Sequence, residues 1–202
     1  MNNHIIILLI LVNLLLMQIP SVSAWNWNTH EEIVAINYYS LPPDIQQNLD
    51  LSAMKDGAEA PDFKFFDFSN HRYPNSYNKA SYWLNQGQYY YKTGDYHYAS
   101  YCYGVASHYI TDSFCAPHCG TNDNKLYHVL YEAEASFSTP QYIQSTDDLS
   151  SSLYNGRVNG EISWNDWMQT KNRSNIQKPL NQATSTSYTA IYQSIIDSYF
   201  IN

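Results

Sequence analysis

Apolar side chains recur along most of this chain at the three-to-four-residue spacing of amphipathic helices, and no stretch makes a strong case for a strand. Thr29 opens the first helix as an N-cap, with Glu32 as the returning arm of a capping box. That helix turns Ile33, Ile36 and Asn37 inward and stops before Pro42 and Pro43. Proline suits a first turn, so Pro43 begins a short helix over 43–49. A loop is expected over 55–63, broken by Gly57 and Pro61, and it runs on through Phe65, Phe66, Asp67, Phe68 and His71 to Pro74. Residues 76–92 carry Tyr82, Trp83, Tyr89 and Tyr90 before Gly94 ends the pattern. Asp95 caps a helix over 96–114 whose broad apolar face holds Ala99, Cys102, Tyr103, Ala106, Tyr109 and Ile110, and it ends at Ala116 and Pro117 with His118 just beyond. After a polar loop over 120–124 the helical pattern returns at 125–136. Residues 138–160, rich in Ser, Thr, Asp and Asn, read as loop, and Trp164 and Trp167 anchor the segment that follows. Beyond Pro179, the spacing of Ala183, Tyr188, Ile191, Tyr192, Ile195, Ile196 and Phe200 predicts a closing helix. The fold class is all-α, a single compact multi-helix domain.

The N-terminal run falls outside this pattern. Residues 5–16 read IIILLILVNLLL, of signal-peptide rather than membrane-spanning length, and Val22, Ser23 and Ala24 place small residues where a signal peptidase cuts. The preceding residues contain no Lys or Arg. Cleavage between Ala24 and Trp25 leaves 202 − 24 = 178 residues over 25–202, enough for one domain with a substantial core, and implies a secreted protein. An uncleaved membrane anchor is the alternative; the short run and polar Asn13 weigh against it.

The formal charge of −8 lies entirely in 25–202 and argues against broad electrostatic binding to nucleic acid or anionic lipid. Three cysteines, Cys102, Cys115 and Cys119, are too few for a disulfide-built scaffold; one disulfide, simple burial or a structural zinc role remain open. Twenty tyrosines suit helices that are half apolar and half wet.

The chemistry gathers between His108 and Glu132. His108 and Asp112, and again His128 and Glu132, stand four residues apart, so each pair shares one helix face, and His118 lies between them. Nitrogen and oxygen donors in such facing pairs suit zinc. His30 and His71 extend the set, whereas His97 fits none of it. A histidine taken singly is more often hydrogen-bonded or solvated than metal-bound, so the weight rests on the combination.

With these residues in place the chain resembles the zinc-dependent phospholipase C family, whose wider superfamily includes zinc-dependent single-strand nucleases. Trp25 and His30 look like the family's N-terminal tryptophan and first histidine, Asp62 and His71 like its loop pair, and His108-x3-Asp112-x5-His118 and His128-x3-Glu132 like its remaining ligands. The resemblance implies a cleft holding three Zn2+ ions. Trp25 (through its α-amino and carbonyl groups), His30 and Asp112 would bind one; Asp62, His71, His108 and Asp112 a second; His118, His128 and Glu132 the third. Removal of the leader would then free the Trp25 amine to act as ligand. Three carboxylates against +6 leave about +3, suited to a phosphodiester attacked by a zinc-activated water. Asp62 is the expected catalytic residue, orienting or deprotonating that water.

The resemblance further implies glycerophospholipid substrates, cleaved to diacylglycerol and a phosphorylated headgroup by a monomer in transient contact with a membrane surface, with no stable nucleic-acid partner. Glu132 favours the phospholipases over the nucleases, where Asp is usual. Phe63 and Phe68 stand where headgroup-binding aromatics are expected, with core packing as their alternative role. Asn28 replaces the carboxylate expected near the headgroup. A single-strand nuclease and a catalytically silent secreted metal-binding domain are the alternative functions.

Overall fold

The computed structural model describes residues 25–120, 124–144 and 148–200, and among them every regular element is helical. In chain order these are α1 (Trp27–Ser40), α2 (Pro43–Gln46), α3 (Leu51–Phe63), α4 (Asn75–Thr93), α5 (Tyr96–Asp112), α6 (Ala116–Cys119), α7 (Lys125–Ala135), α8 (Leu149–Thr170) and α9 (Ser174–Ser198). The leader expected over 1–24 lies outside the described residues. No described helix is long and apolar enough to cross a membrane.

α5 is the axis of the fold. From Ala99 to Asp112 every residue except Tyr101 is buried, which a helix achieves only when neighbours enclose it on all sides. Its most extensive contacts are with α3 and α4, and α9 and α1 complete the enclosure. Small residues permit the closest of these crossings. A Cβ added to Gly104 would lie 1.9 Å from the Met54 carbonyl oxygen, and one added to Gly57 would lie 2.1 Å from that of Tyr101, so α3 and α5 meet backbone to backbone. The crossing sets Asp62, near the end of α3, beside His108. A buried polar seam joins three helices at the same level: Asn37 of α1 donates to Ser187 of α9, which donates to Ser107 of α5.

A second apolar core, built from Trp25, Ile33, Tyr131, Ala135, Trp164, Trp167, Ile176 and Leu180, lies beyond the end of α5. The C-terminal end of α5 therefore sits where two cores meet.

Several boundaries differ from those read in the sequence, each for a local reason. α1 starts at Trp27 with Asn26 as its N-cap, and Thr29 is not the cap but a first-turn residue donating to the Asn26 side chain. α2 spans only Pro43–Gln46. The expected loop over 55–63 is instead helix α3: Asp50 caps it through the amides of Ser52 and Ala53, Gly57 is where α5 approaches, and Pro61 falls in its last turn. α5 closes at Asp112, and His118 lies within the short α6 rather than beyond a helix. Most of 149–160, also expected as loop, belongs to α8. Its Ser151, Asn155 and Asn159 face outward while Ser152 is buried, and Gly156 and Gly160 lie under Phe114 and Cys119 at would-be Cβ distances of 2.5 and 2.4 Å. α9 begins five residues ahead of Pro179, because the Asn175 carbonyl that proline cannot engage accepts the Tyr131 hydroxyl. No disulfide joins Cys102, Cys115 and Cys119; all three are buried as thiols, with burial pushing Cys102 and Cys119 up to about 12.

Replacing Gly104 by alanine forces α3 and α5 apart. The expected loss is ~1–3 kcal/mol of stability, of the order of other overpacked cores, read as a lowered urea midpoint with unchanged slope; an unaltered midpoint would contradict the backbone contact.

Candidate metal centre

Five histidines and three carboxylates from six parts of the chain meet at the seam between the cores. All eight are buried except Glu132, which is mostly so. Asp112, at the last turn of α5, is the common partner. Its Oδ1 is 3.2 Å from His30 Nε2, and its Oδ2 is 2.8 Å from His71 Nδ1 and 3.2 Å from His108 Nε2. Asp62 Oδ1 lies 3.7 Å from His71 Nε2 and 3.8 Å from His108 Nε2. On α7, one helical turn sets His128 Nε2 3.0 Å from Glu132 Oε1. Ring contacts run through the whole cluster: His30 on His108 at 4.0 Å between centroids, His108 to His71 at 4.9 Å, His71 to His118 at 6.3 Å, and His118 to His128 at 5.1 Å.

Neighbouring groups fix which ring nitrogens face the cleft. His108 Nδ1 donates to the Ala58 carbonyl at 2.7 Å, which leaves Nε2 for the centre. The Thr111 hydroxyl donates to the His108 carbonyl, so its oxygen can accept from His30 Nδ1 at 3.2 Å and leave His30 Nε2 likewise. Thr111 also accepts the Trp25 indole N–H on its carbonyl at 2.9 Å, and the Trp25 ring rests against Tyr131 at 5.9 Å. Residue 25 is thereby fastened beside the turn that carries Asp112.

The electrostatics follow from this enclosure. Burial and the nearby His108 lower His30, and burial holds His118 well below the usual histidine range. Burial works against charge on Asp112 too, but His108, His30 and His71 together keep its carboxyl well below the normal range. His108 is driven down by burial and more than restored by Asp112, Asp62 and the Ala58 carbonyl, to about 9. Burial raises Glu132 to about 7 against the pull of His128.

Donors this close normally satisfy one another, yet these do not. His30 Nε2, His71 Nε2, His108 Nε2, His118 Nδ1, both oxygens of Asp112 and Glu132 Oε1 are buried without a partner in hydrogen-bond geometry. Leaving so many buried polar atoms unsatisfied is costly, whereas ligands arranged around a shared cation present this pattern. Two triplets, His30–His108–Asp112 and Asp62–His71–His108, bring their donor atoms within 4.8 Å of one another. His118, His128 and Glu132 lie next to each other in a looser group. Imidazole and carboxylate donors fit zinc.

The structure thus brings together His30, Asp62, His71, His108, Asp112, His118, His128 and Glu132, with Trp25 alongside. His97 stands apart, exposed and paired with Asp50 at 2.9 Å. Phe63 and Phe68 are exposed rather than part of the core, and the Phe68 ring lies 6.2 Å from that of His71. Sequence reasoning missed Thr111 and the Ala58 carbonyl; Asp67, which with Glu59 could stand in for the headgroup carboxylate, instead accepts from the Tyr109 hydroxyl at 2.8 Å beside His71. Only the position of Thr111 next to Asp112 could have suggested one of them.

A family model described as zinc dependent phospholipase C matches residues 29–183. No curated protein matches the chain.

Thr111→Val keeps the shape of the side chain but removes the oxygen that orients His30. Zinc affinity should fall by roughly 10-fold, at the lower end for groups that orient metal ligands, as measured by chelator competition; equal affinity in both proteins would show that Thr111 does not position the histidine.

Proposed function

We propose, from the premise that this chain belongs to the zinc-dependent phospholipase C family, a family of hydrolases, that the processed protein is a secreted zinc metallohydrolase cleaving glycerophospholipids to diacylglycerol and a phosphorylated headgroup. The observation that carries this reading is the sharing of buried Asp112 by three histidines whose Nε2 atoms lack hydrogen-bond partners. Around it, His30, Asp112 and the freed amine and carbonyl of Trp25 would hold one zinc; Asp62, His71, His108 and Asp112 a second; His118, His128 and Glu132 a third. When bound, zinc supplies positive charge for the phosphodiester and lowers the pKa of a coordinated water towards ~7.

The chain's own residues complete the chemistry. Asp62, 7% exposed beside His71 and His108, would orient the attacking water and take its proton on a carboxylate oxygen. The Ala58 carbonyl and the Thr111 hydroxyl oxygen, accepting from His108 and His30, hold those rings in one tautomer with Nε2 towards the cleft. Phe63 and Phe68 present aromatic faces at the rim, suited to a cationic headgroup. Asn28 is exposed and brings no carboxylate to that rim, which favours a tolerant headgroup site over one dedicated to choline. The buried thiols contribute no nucleophile, and no covalent intermediate is required. The protein acts as a monomer, with lipid rather than nucleic acid as its partner.

Zinc-loaded protein beginning at Trp25 should release phosphorylcholine or phosphorylethanolamine from phosphatidylcholine or phosphatidylethanolamine and cleave a chromogenic phosphodiester. Nucleotide release from single-stranded DNA without lipid cleavage would identify a nuclease, and silence on every substrate a binding domain. Asp62→Asn should retain most of its zinc while losing about 100-fold or more in turnover; a wild-type rate would make Asp62 structural only. His118→Ala and Glu132→Ala should each lose about one zinc by elemental analysis and abolish activity, whereas unchanged stoichiometry would contradict the third site. One additional residue ahead of Trp25 should weaken a single metal site, and full activity there would show that the free amine is dispensable.

A further inference from the structure

Beside the metal cleft, the exposed side chains of Phe65, Phe66 and Tyr82 stand around the half-buried ring of Trp83. Phe65 stacks on Trp83 with centroids 5.7 Å apart, Tyr82 meets the edge of Trp83 at 5.4 Å, and Phe66 leans on Phe68 at 6.5 Å. Together Phe65, Phe66, Tyr82 and Trp83 line a cavity of about 650 Å3 floored by Asp67 and Tyr109. The rim is continuous with the centre, since the rings of Phe68 and Tyr109 lie 6.2 and 5.8 Å from His71.

Phe66 is the informative residue. It is 68% exposed, and its backbone is left-handed, with φ at 51°. The turn itself has a purpose: the Asp67 amide reaches the Pro61 carbonyl at 2.9 Å, and the Asp67 carboxylate then holds the Tyr109 hydroxyl and Lys79. Glycine or asparagine would make that turn with less strain, so a bulky aromatic here is costly and gains no burial within the fold. Charge points the same way. Residues 63–83 contain Lys64, Arg72 and Lys79 against Asp67 alone, 3 − 1 = +2 in a chain of −8.

We propose that this rim is a docking surface for a phospholipid bilayer, with Phe65, Phe66 and Tyr82 entering the interfacial region on the support of Trp83 while Lys64 meets headgroup phosphates. Aromatic rings are favoured at that depth, and the acidic remainder of the molecule keeps other faces off the lipid. The inference rests on the phospholipase reading, because docking here would turn the metal cleft towards its substrate.

Cosedimentation of the zinc-loaded protein with phosphatidylcholine vesicles tests the proposal. Phe66→Gly and Phe66→Asn, both compatible with the left-handed turn, should bind about tenfold more weakly, the ratio expected for one lost Phe contact. Both should melt no lower than wild type and cleave a water-soluble chromogenic phosphodiester at the wild-type rate, and Phe66→Trp should restore vesicle binding. Unchanged binding in the Gly and Asn variants would overturn the proposal. So would a lowered melting temperature with parallel loss of soluble-substrate cleavage, which would make Phe66 structural, or a concentration-dependent dimer that Phe66→Asn dissociates, which would assign the rim to a second copy. Vesicle binding by a protein silent on the soluble phosphodiester would leave docking standing and remove the hydrolase reading instead.

Discussion

A carboxylate buried at the end of the central helix constrains the whole molecule. Asp112 is fully enclosed and ionised, a state that is strongly unfavourable without compensation. Its compensation comes from three imidazoles that the sequence supplies at widely separated points: His30 on α1, His71 on the segment between α3 and α4, and His108 one turn back on α5 itself. Bringing them together requires α1, α3 and α5 to hold fixed positions. The crossing at Gly57 and Gly104 satisfies the tightest of these demands, because a methyl group at either position would hold α3 away from α5 and carry Asp62 with it.

The cluster lies between two apolar cores, and this placement shapes its chemistry. Low polarity on both sides keeps His30 and His118 neutral and so available as ligands, while the mutual attraction of Asp112 and His108 holds charge that a divalent cation would replace. Trp25 belongs to the second core and is tied by its indole to Thr111, beside the turn that carries Asp112. The second core and the Asp112 turn are thus linked through one side chain. The Phe66 turn extends the same economy outward: Asp67 is drawn in to brace Tyr109 beside His71, and the aromatic ring is left facing solvent.

Much of this was legible in the sequence because helical spacing and ligand spacing coincide. His108 with Asp112 and His128 with Glu132 could be paired by counting residues, and the all-α class followed from periodicity. Glycine and proline misled where tertiary packing overrode local preference. Gly57 is a contact point between helices rather than a break, and Pro179 is accommodated because Tyr131, far away in sequence, takes up the released carbonyl. Asn26 took the cap from Thr29 because two side chains able to cap lay within one turn. Ala58 and Thr111 were invisible for another reason: one acts through a backbone oxygen, and the other looks like any threonine inside a helix. The exposure of Phe63 and Phe68 could only come from coordinates, since aromatic residues in a helix-rich chain are equally ordinary in a core.

The central claim is that Asp112 is shared because it bridges cations. Anomalous diffraction at the zinc edge from crystals of the protein beginning at Trp25 tests this directly. The account predicts peaks within the cleft, two of them flanking the Asp112 carboxylate and a third among His118, His128 and Glu132. Zinc found only at surface positions such as His97 and Asp50, with the cleft histidines bonded to Asp112 through protons alone, would contradict it.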